Sequence, residues 1–320
     1  MNLLIAYDGS GSAEAAIDDL AWAGLPGIGE AVVLHVTEDW TSSLPWVCAA
    51  SGEAMVVPEQ EAGRRVMERA WQIAERGATR VRERLCGWGV RPDAASGPRA
   101  ITIVDAARKW PADLILLGRR ETSGLSRLFH GNVTHAVLGH APCSVRIARP
   151  RSGRVFRGDT PRGGARILIG FDGSPHCESA VRAVCSRDWP RGSEARLVAA
   201  IDSQVCRGCS CGDGATSVRR SIEKAAQTLR AAGLSVTTCV EPAVPNRFLM
   251  DEARRWSADV IFVGSRGLAL VARVLLGGVS LAVAEHAPCT VEVIRPREIR
   301  PSAHASADAP ATTSHLIQGR

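Results

Sequence analysis

The sequence predicts an α/β protein made of two doubly wound parallel-sheet domains in tandem. Three observations carry this. The chain repeats itself: Ala6-Tyr7-Asp8-Gly9-Ser10 returns as Gly170-Phe171-Asp172-Gly173-Ser174. Ala-Asp-Leu-Ile-Leu-Leu-Gly at 112–118 returns as Ala-Asp-Val-Ile-Phe-Val-Gly at 258–264, and His-Ala-Pro-Cys at 140–143 returns at 286–289. Within each copy, short apolar runs alternate with helical stretches, the pattern of a parallel sheet covered on both faces. The length of 320 residues suits two domains, and 45% hydrophobic with 22% charged residues is the balance of a folded, soluble chain.

The first copy reads in order as a strand at Leu3–Tyr7, a helix to Ala23, and a strand at Ala31–Val36. A long helix follows from Glu59 to about Leu85, then a strand near Val90, a helix from Ile101 to Trp110 and a strand at Leu114–Leu117. A helix ending near His140 and a strand at Ser144–Ala148 close it. The second copy repeats this with strands at Ile167–Phe171, Arg196–Ala200, Val236–Val240, Val260–Val263 and Thr290–Ile294. Ser10 and Ser174 are the expected N-caps, and Pro175 suits the first helical position. Asp8 to Asp172 is 164 residues and Gly118 to Gly264 is 146, so the first copy carries 18 extra residues, expected between Trp40 and Glu59 and in the helix after it. The expected organisation is a domain over 1–148, a basic linker over 149–165, a domain over 166–296 and a disordered tail over 297–320.

Charge and composition narrow the partners. The formal charge is +6, but the arginines do not cluster with aromatics, and five Phe and one Tyr leave few stacking platforms. The densest basic run, Arg149 to Arg166, reads as a solvated linker, so no nucleic-acid partner is expected. The longest apolar stretch, Leu268–Ala284, is broken by Arg273 and Gly277-Gly278, short of the roughly 18 uninterrupted residues a span needs. It reads as a buried helix, with no membrane partner. Met1–Tyr7 lacks the basic flank and length of a signal peptide. The expected location is therefore the cytoplasm, where the ten cysteines stay reduced. Cys86, Cys177, Cys185 and Cys239 read as small buried hydrophobes, and Cys143 and Cys289 as buried at strand entries.

Two motifs stand where open α/β sheets bind ligands, at the carboxyl ends of strands beside a switch in strand order. Asp8 and Asp172 each end a first strand, where a carboxylate can accept hydrogen bonds from a ribose or an adenine edge. The competing reading is an Asp-Gly-Ser turn with a helix cap. After the fourth strand of the second copy comes Gly264-Ser265-Arg266-Gly267, then Gly277-Gly278-Val279-Ser280. Glycines let backbone N–H groups approach phosphate oxygens, and a helix starting near Gly278 adds its positive end. The competing reading is a loop whose glycines serve tight turns only.

On these residues both copies resemble the universal stress protein domain, an adenine nucleotide alpha-hydrolase-like fold, over nearly the whole chain except linker and tail. Asp172, Gly264, Gly267, Gly277 and Ser280 match the pattern of ATP-binding members, with Arg266 inside the loop. The resemblance implies ATP held with Mg²⁺ or Mn²⁺, and a regulatory role in stress. Gly278 stands where the family has Ser or Thr. The first copy keeps Gly118 and Gly131, but Glu121 replaces the second glycine and Asn132 the hydroxyl residue, so ATP is expected mainly in the second copy. Family members commonly pair their fifth strands, which implies an intramolecular pseudo-dimer with Val145-Arg146-Ile147 against Val291-Glu292-Val293; a homodimer remains open.

His140 and His286 read as helix-end residues favoured by the dipole, and His35 as a satisfied core residue. Cys206, Cys209 and Cys211 form a thiol-rich loop with no core role. A metal site wants about four ligands and the other copy offers only Cys48, so these three are weaker metal candidates. No Gly-x4-Gly-Lys-Ser/Thr loop or Gly-x-Ser-x-Gly elbow is present. Two alternatives therefore stay open: a slow ATP hydrolase or nucleotidyl transferase using the same pocket, and a thiol or metal sensor.

Overall fold

Each half of the molecule starts with a buried strand that runs into an Asp-Gly-Ser turn. The computed structural model describes residues 1–38, 59–119, 132–150, 163–201, 212–266 and 276–296. In the first half these are β1 (Asn2–Ala6), α1 (Gly11–Asp19), β2 (Glu30–Thr37), α2 (Glu59–Arg84), β3 (Gly89–Ser96), α3 (Arg99–Lys109), β4 (Leu114–Gly118), α4 (Asn132–His140) and β5 (Ser144–Ala148). The second half repeats them as β6 (Arg166–Gly170), α5 (Pro175–Cys185), β7 (Glu194–Ile201), α6 (Gly212–Ala231), β8 (Ser235–Pro242), α7 (Pro245–Arg255), β9 (Val260–Gly264), α8 (Gly278–His286) and β10 (Thr290–Ile294).

The ten strands form one sheet in the order β3-β2-β1-β4-β5-β10-β9-β6-β7-β8. Every pairing within a half is parallel. The strand order reverses direction between β1 and β4, and again between β6 and β9. Tyr7 and Phe171 fall just past their strands, yet each amide still donates to the neighbouring strand, to the Leu34 and Val198 carbonyls at 2.9 and 2.8 Å. Ser10 and Ser174 cap α1 and α5 as expected, each Oγ accepting from an amide three residues on at 3.3 Å, with Pro175 at the head of α5. Such caps contribute about 1 kcal/mol each.

The halves meet through β5 and β10, which run antiparallel with Val291 opposite Ile147, Glu292 opposite Arg146 and Val293 opposite Val145. This is the register expected from sequence. Arg146 and Glu292 are both fully buried. Arg146 donates through Nε to Asp19 at 2.7 Å and through Nη1 to Glu292 at 2.9 Å. Arg187 donates to the other Glu292 oxygen and, at 2.6 Å, to the Ala23 carbonyl. Thr290 donates to the second Asp19 oxygen at 2.9 Å. Burial alone would lower the Arg146 pKa, but Asp19 and Glu292 outweigh it and hold it above the ordinary value. Two cations and two anions thus balance inside the sheet junction, the condition under which buried charge is tolerated.

Two arginines cross the junction reciprocally. Arg149, just after β5, donates to the Ala284 and Glu285 carbonyls in the last turn of α8, at 3.4 and 3.1 Å. Arg295, just after β10, donates to the Leu138 and Gly139 carbonyls in the last turn of α4. Each satisfies carbonyls that the end of a helix leaves without partners, and each places positive charge at the negative end of the dipole. The core on that side is correspondingly shared, with Val137, Leu138 and Val145 in one apolar cluster with Val283, Val291 and Val293.

Some expectations need correction. Within Leu268–Ala284 the helix begins only at Gly278, since Leu276 and Gly277 precede it in non-helical backbone; residues 267–275 lie outside those described. Cys86 is exposed, and Cys185, Cys239 and Cys289 are only partly buried, while Cys143 and Cys177 are buried. Cys86 sits in the turn between α2 and β3, where nothing covers it. Cys206, Cys209, Cys211, residues 40–58 of the expected loop and residues 297–320 of the tail lie outside the described residues. Among the described residues no helix is long and apolar enough to cross a membrane.

Candidate functional site

The carboxyl ends of β6 and β9 lie side by side at the second reversal of strand order. Asp172 follows β6, and its Oδ1 accepts the Ser174 amide at 2.9 Å. Gly173 between them has φ +79, the left-handed region that favours glycine. Asp172 is thereby held at the strand end by an Asx turn, the same turn that Asp8 makes with the Ser10 amide at 3.0 Å in the first half.

Gly264 ends β9 against the start of α5. A Cβ there would stand 2.7 Å from the His176 carbonyl carbon and 2.9 Å from the Cys177 nitrogen. Gly118 meets the same constraint, with Ser12 O at 2.2 Å. The repeated glycine therefore has a packing cause: the first helix crosses the end of the fourth strand backbone to backbone. The loop returns to this point, because the Gly277 amide donates to the Ser265 carbonyl at 2.8 Å and Ser280 Oγ donates to the Gly264 carbonyl at 2.5 Å. Ser280 is buried, its hydroxyl tying α8 to the end of β9. Gly278 has open space where a Cβ would be. It opens α8, whose first-turn amides lack intrahelical partners.

Asp172, Gly264, Arg266, Gly277, Gly278 and Ser280 are thus gathered around the adjacent ends of β6 and β9 and the N-terminus of α8. Gly267 lies outside the described residues, as do Glu121 and Gly131 in the first copy. Sequence reasoning missed two further residues, His176 and Arg295. His176, the second residue of α5, pairs its Nδ1 with Ser265 Oγ at 3.1 Å. Arg295 sits close enough to His176 and Arg266 to be felt electrostatically by both. Burial first, then Arg266 and Arg295, push the His176 pKa below its ordinary value against the pull of Asp172. Burial and Arg266 likewise lower that of Arg295. Beside them, burial raises the Cys177 thiol to about 11, so it stays protonated at neutral pH. A signal for Arg295 was available, because Arg-Pro follows the fifth strand in both copies at 149–150 and 295–296. None marked His176, whose counterpart in the first copy is Ser12.

The first half has a cleft of about 820 Å³ at the corresponding strand ends, between β1, β2, β4 and α4. Glu38 and Arg99 pair at it at 3.2 Å, and His135 Nδ1 lies 3.2 Å from a Glu285 oxygen. Ala284 and Glu285 reach it from α8 of the second half. The remaining sequence readings are plain packing roles. His140 and His286 bond through Nδ1 to the carbonyls of Ala136 and Ala282, one turn back, and His35 to the Tyr7 carbonyl at 2.9 Å. Among the described residues no group of three or more His, Cys, Asp or Glu is arranged to hold a metal.

This architecture defines a class, the tandem doubly wound α/β protein, here with a glycine-lined helix N-terminus at the switch point of the second half. The universal stress protein family profile matches residues 1–149 and 165–295, and the chain belongs to that family. A universal stress protein of Mycolicibacterium smegmatis is 25% identical over 305 residues, covering 92% of this chain and 97% of its own. One from Mycobacterium tuberculosis H37Rv is 24% identical over 302 residues, covering 92% and 96%. The crystal structure of a universal stress protein from Archaeoglobus fulgidus superposes with a TM-score of 0.64 at 20% identity, over 93% of this chain and 98% of that one. At that identity the likeness is one of fold.

Proposed function

We propose that the protein is a regulatory nucleotide-binding protein of the stress response, acting in the cytoplasm without a nucleic-acid or membrane partner, and that ATP occupies the second domain. The observation that carries this is the convergence of Asp172, Gly264, Arg266 and the Gly277-Gly278 start of α8 at one switch point of the sheet. The donors fit a polyphosphate: the first-turn amides of α8, which lack intrahelical partners, an open approach over Gly278, the Arg266 cation, and the positive field of Arg295, whose guanidinium is bonded to the end of α4. Asp172 suits a ribose or adenine edge. Mg²⁺ or Mn²⁺ would arrive with the phosphates and draw most of its ligands from phosphate oxygens and water.

The first domain takes the lesser role, because Glu121 replaces the glycine found at 267. Two like charges about 4 Å apart repel by roughly 4 kcal/mol at an effective dielectric near 20. A hydrogen bond to a charged group returns about 1.5–3 kcal/mol, so repulsion prevails. Calorimetry on the full chain with ATP and Mg²⁺ is expected to give one site. Gly267→Glu should abolish it, and Glu121→Gly should leave it unchanged. Two equal sites, or binding that survives Gly267→Glu, would overturn the assignment.

A further inference from the structure

His176 has no part in the family pattern described above, yet it lies among the cations of the second-domain site. Its neighbours come from every element around it. Asp172 stands on the turn after β6, Arg266 after β9 and Arg295 after β10, while Cys177 and Glu178 follow on its own helix. Its Nδ1 is tied to Ser265 Oγ, and Ser265 is itself buried at the end of β9. A hydroxyl both donates and accepts. Ser265 can therefore donate to the neutral ring and accept from the protonated one, and the contact survives a change of charge.

We infer that His176 is a phosphate-contacting residue of the second-domain site, and that a phosphorylated ligand binds there with uptake of a proton by its ring. The inference rests on the reading that phosphate groups occupy this site. Without ligand, burial and two guanidinium groups lower the imidazole's pKa and so favour the neutral ring. A polyphosphate placed between Arg266, Arg295 and the start of α8 reverses the sign of that field. The ring then gains a proton at Nδ1, where Ser265 Oγ turns to accept it, and the opposite nitrogen, which already carries hydrogen, donates to a phosphate oxygen. The sign follows from linkage: a group whose pKa rises on binding strengthens binding as pH falls through the interval between its free and bound values. The first half lacks this element, for Ser12 stands there and pairs with Ser10 Oγ at 2.9 Å.

The test is calorimetry of ATP binding to the full chain at pH 6 to 8, in buffers of different ionisation heat, for the wild type and His176→Gln. The wild type is expected to take up more protons than the variant near neutral pH, the comparison cancelling the ligand's own titration. Its affinity should gain several-fold over the variant's between pH 8 and 6, with tenfold per pH unit as the ceiling for one proton. Equal uptake in both proteins, or loss of all binding in a folded variant, overturns the inference. If the wild type binds no ATP, the nucleotide reading fails separately. The inference is then decided by NMR titration of the His176 ring with inorganic pyrophosphate: an upward pKa shift sustains it, and an unchanged pKa ends it.

Discussion

Gly264 and Gly278 look alike in the motif and differ in what surrounds them. A methyl at 264 would press into the backbone of His176, and at 278 it would meet nothing within 4 Å. Overpacking against backbone costs about 1–3 kcal/mol. We expect Gly264→Ala to lower chemical-denaturation stability by that amount and Gly278→Ala to change it by less than about 0.5 kcal/mol. Equal effects would show that the crossing of α5 over β9 is less tight than described. The need for glycine at 264 was legible from its repetition at 118, but its cause was not, because a close approach of helix to strand has no sequence signature. Ser280 teaches the same lesson, since its hydroxyl matched a ligand pattern while folded it holds the Gly264 carbonyl.

Among the elements, β5 and β10 were the most legible. Each follows His-Ala-Pro-Cys, and aligning the repeats puts Arg146 opposite Glu292. What the alignment did not disclose was Asp19 on α1 and Arg187 beyond α5, which complete the buried cluster. Both lie far from the strands in sequence, and their counterparts in the other copy are the uncharged Ala183 and Ala23. Removing one member of such a cluster strands the rest in a dry interior, at a cost of about 3–5 kcal/mol. Arg146→Ala should therefore lose that much stability in urea denaturation. A loss under 1 kcal/mol would mean that water enters the junction.

Across the whole molecule, the duplication and alternation of elements predicted two doubly wound units, and the structure joins them in a single ten-stranded sheet. Apolar residues of both halves pack in one cluster, and Arg149 and Arg295 each close a helix of the opposite half. The two halves should consequently melt together. Differential scanning calorimetry is expected to give one transition, with calorimetric and van't Hoff enthalpies in agreement. Two resolved transitions would show that the halves unfold separately. The thiol loop and residues 39–58, 120–131 and 267–275 had readable motifs but lie outside the described residues, so what they add to the candidate site rests on sequence pattern.

The Arg146–Glu292 pair stands near the local two-fold between the halves, where a residue faces its own counterpart. In a dimer of identical chains such a position meets itself, so a charge there always confronts its own sign. An attractive pair on the axis is open only to unlike partners. Carrying both partners on one polypeptide turns a self-repelling position into a mating key. It also releases the halves from having to stay copies of each other: one switch point can change its residues while its twin keeps them, and the junction between the halves still forms.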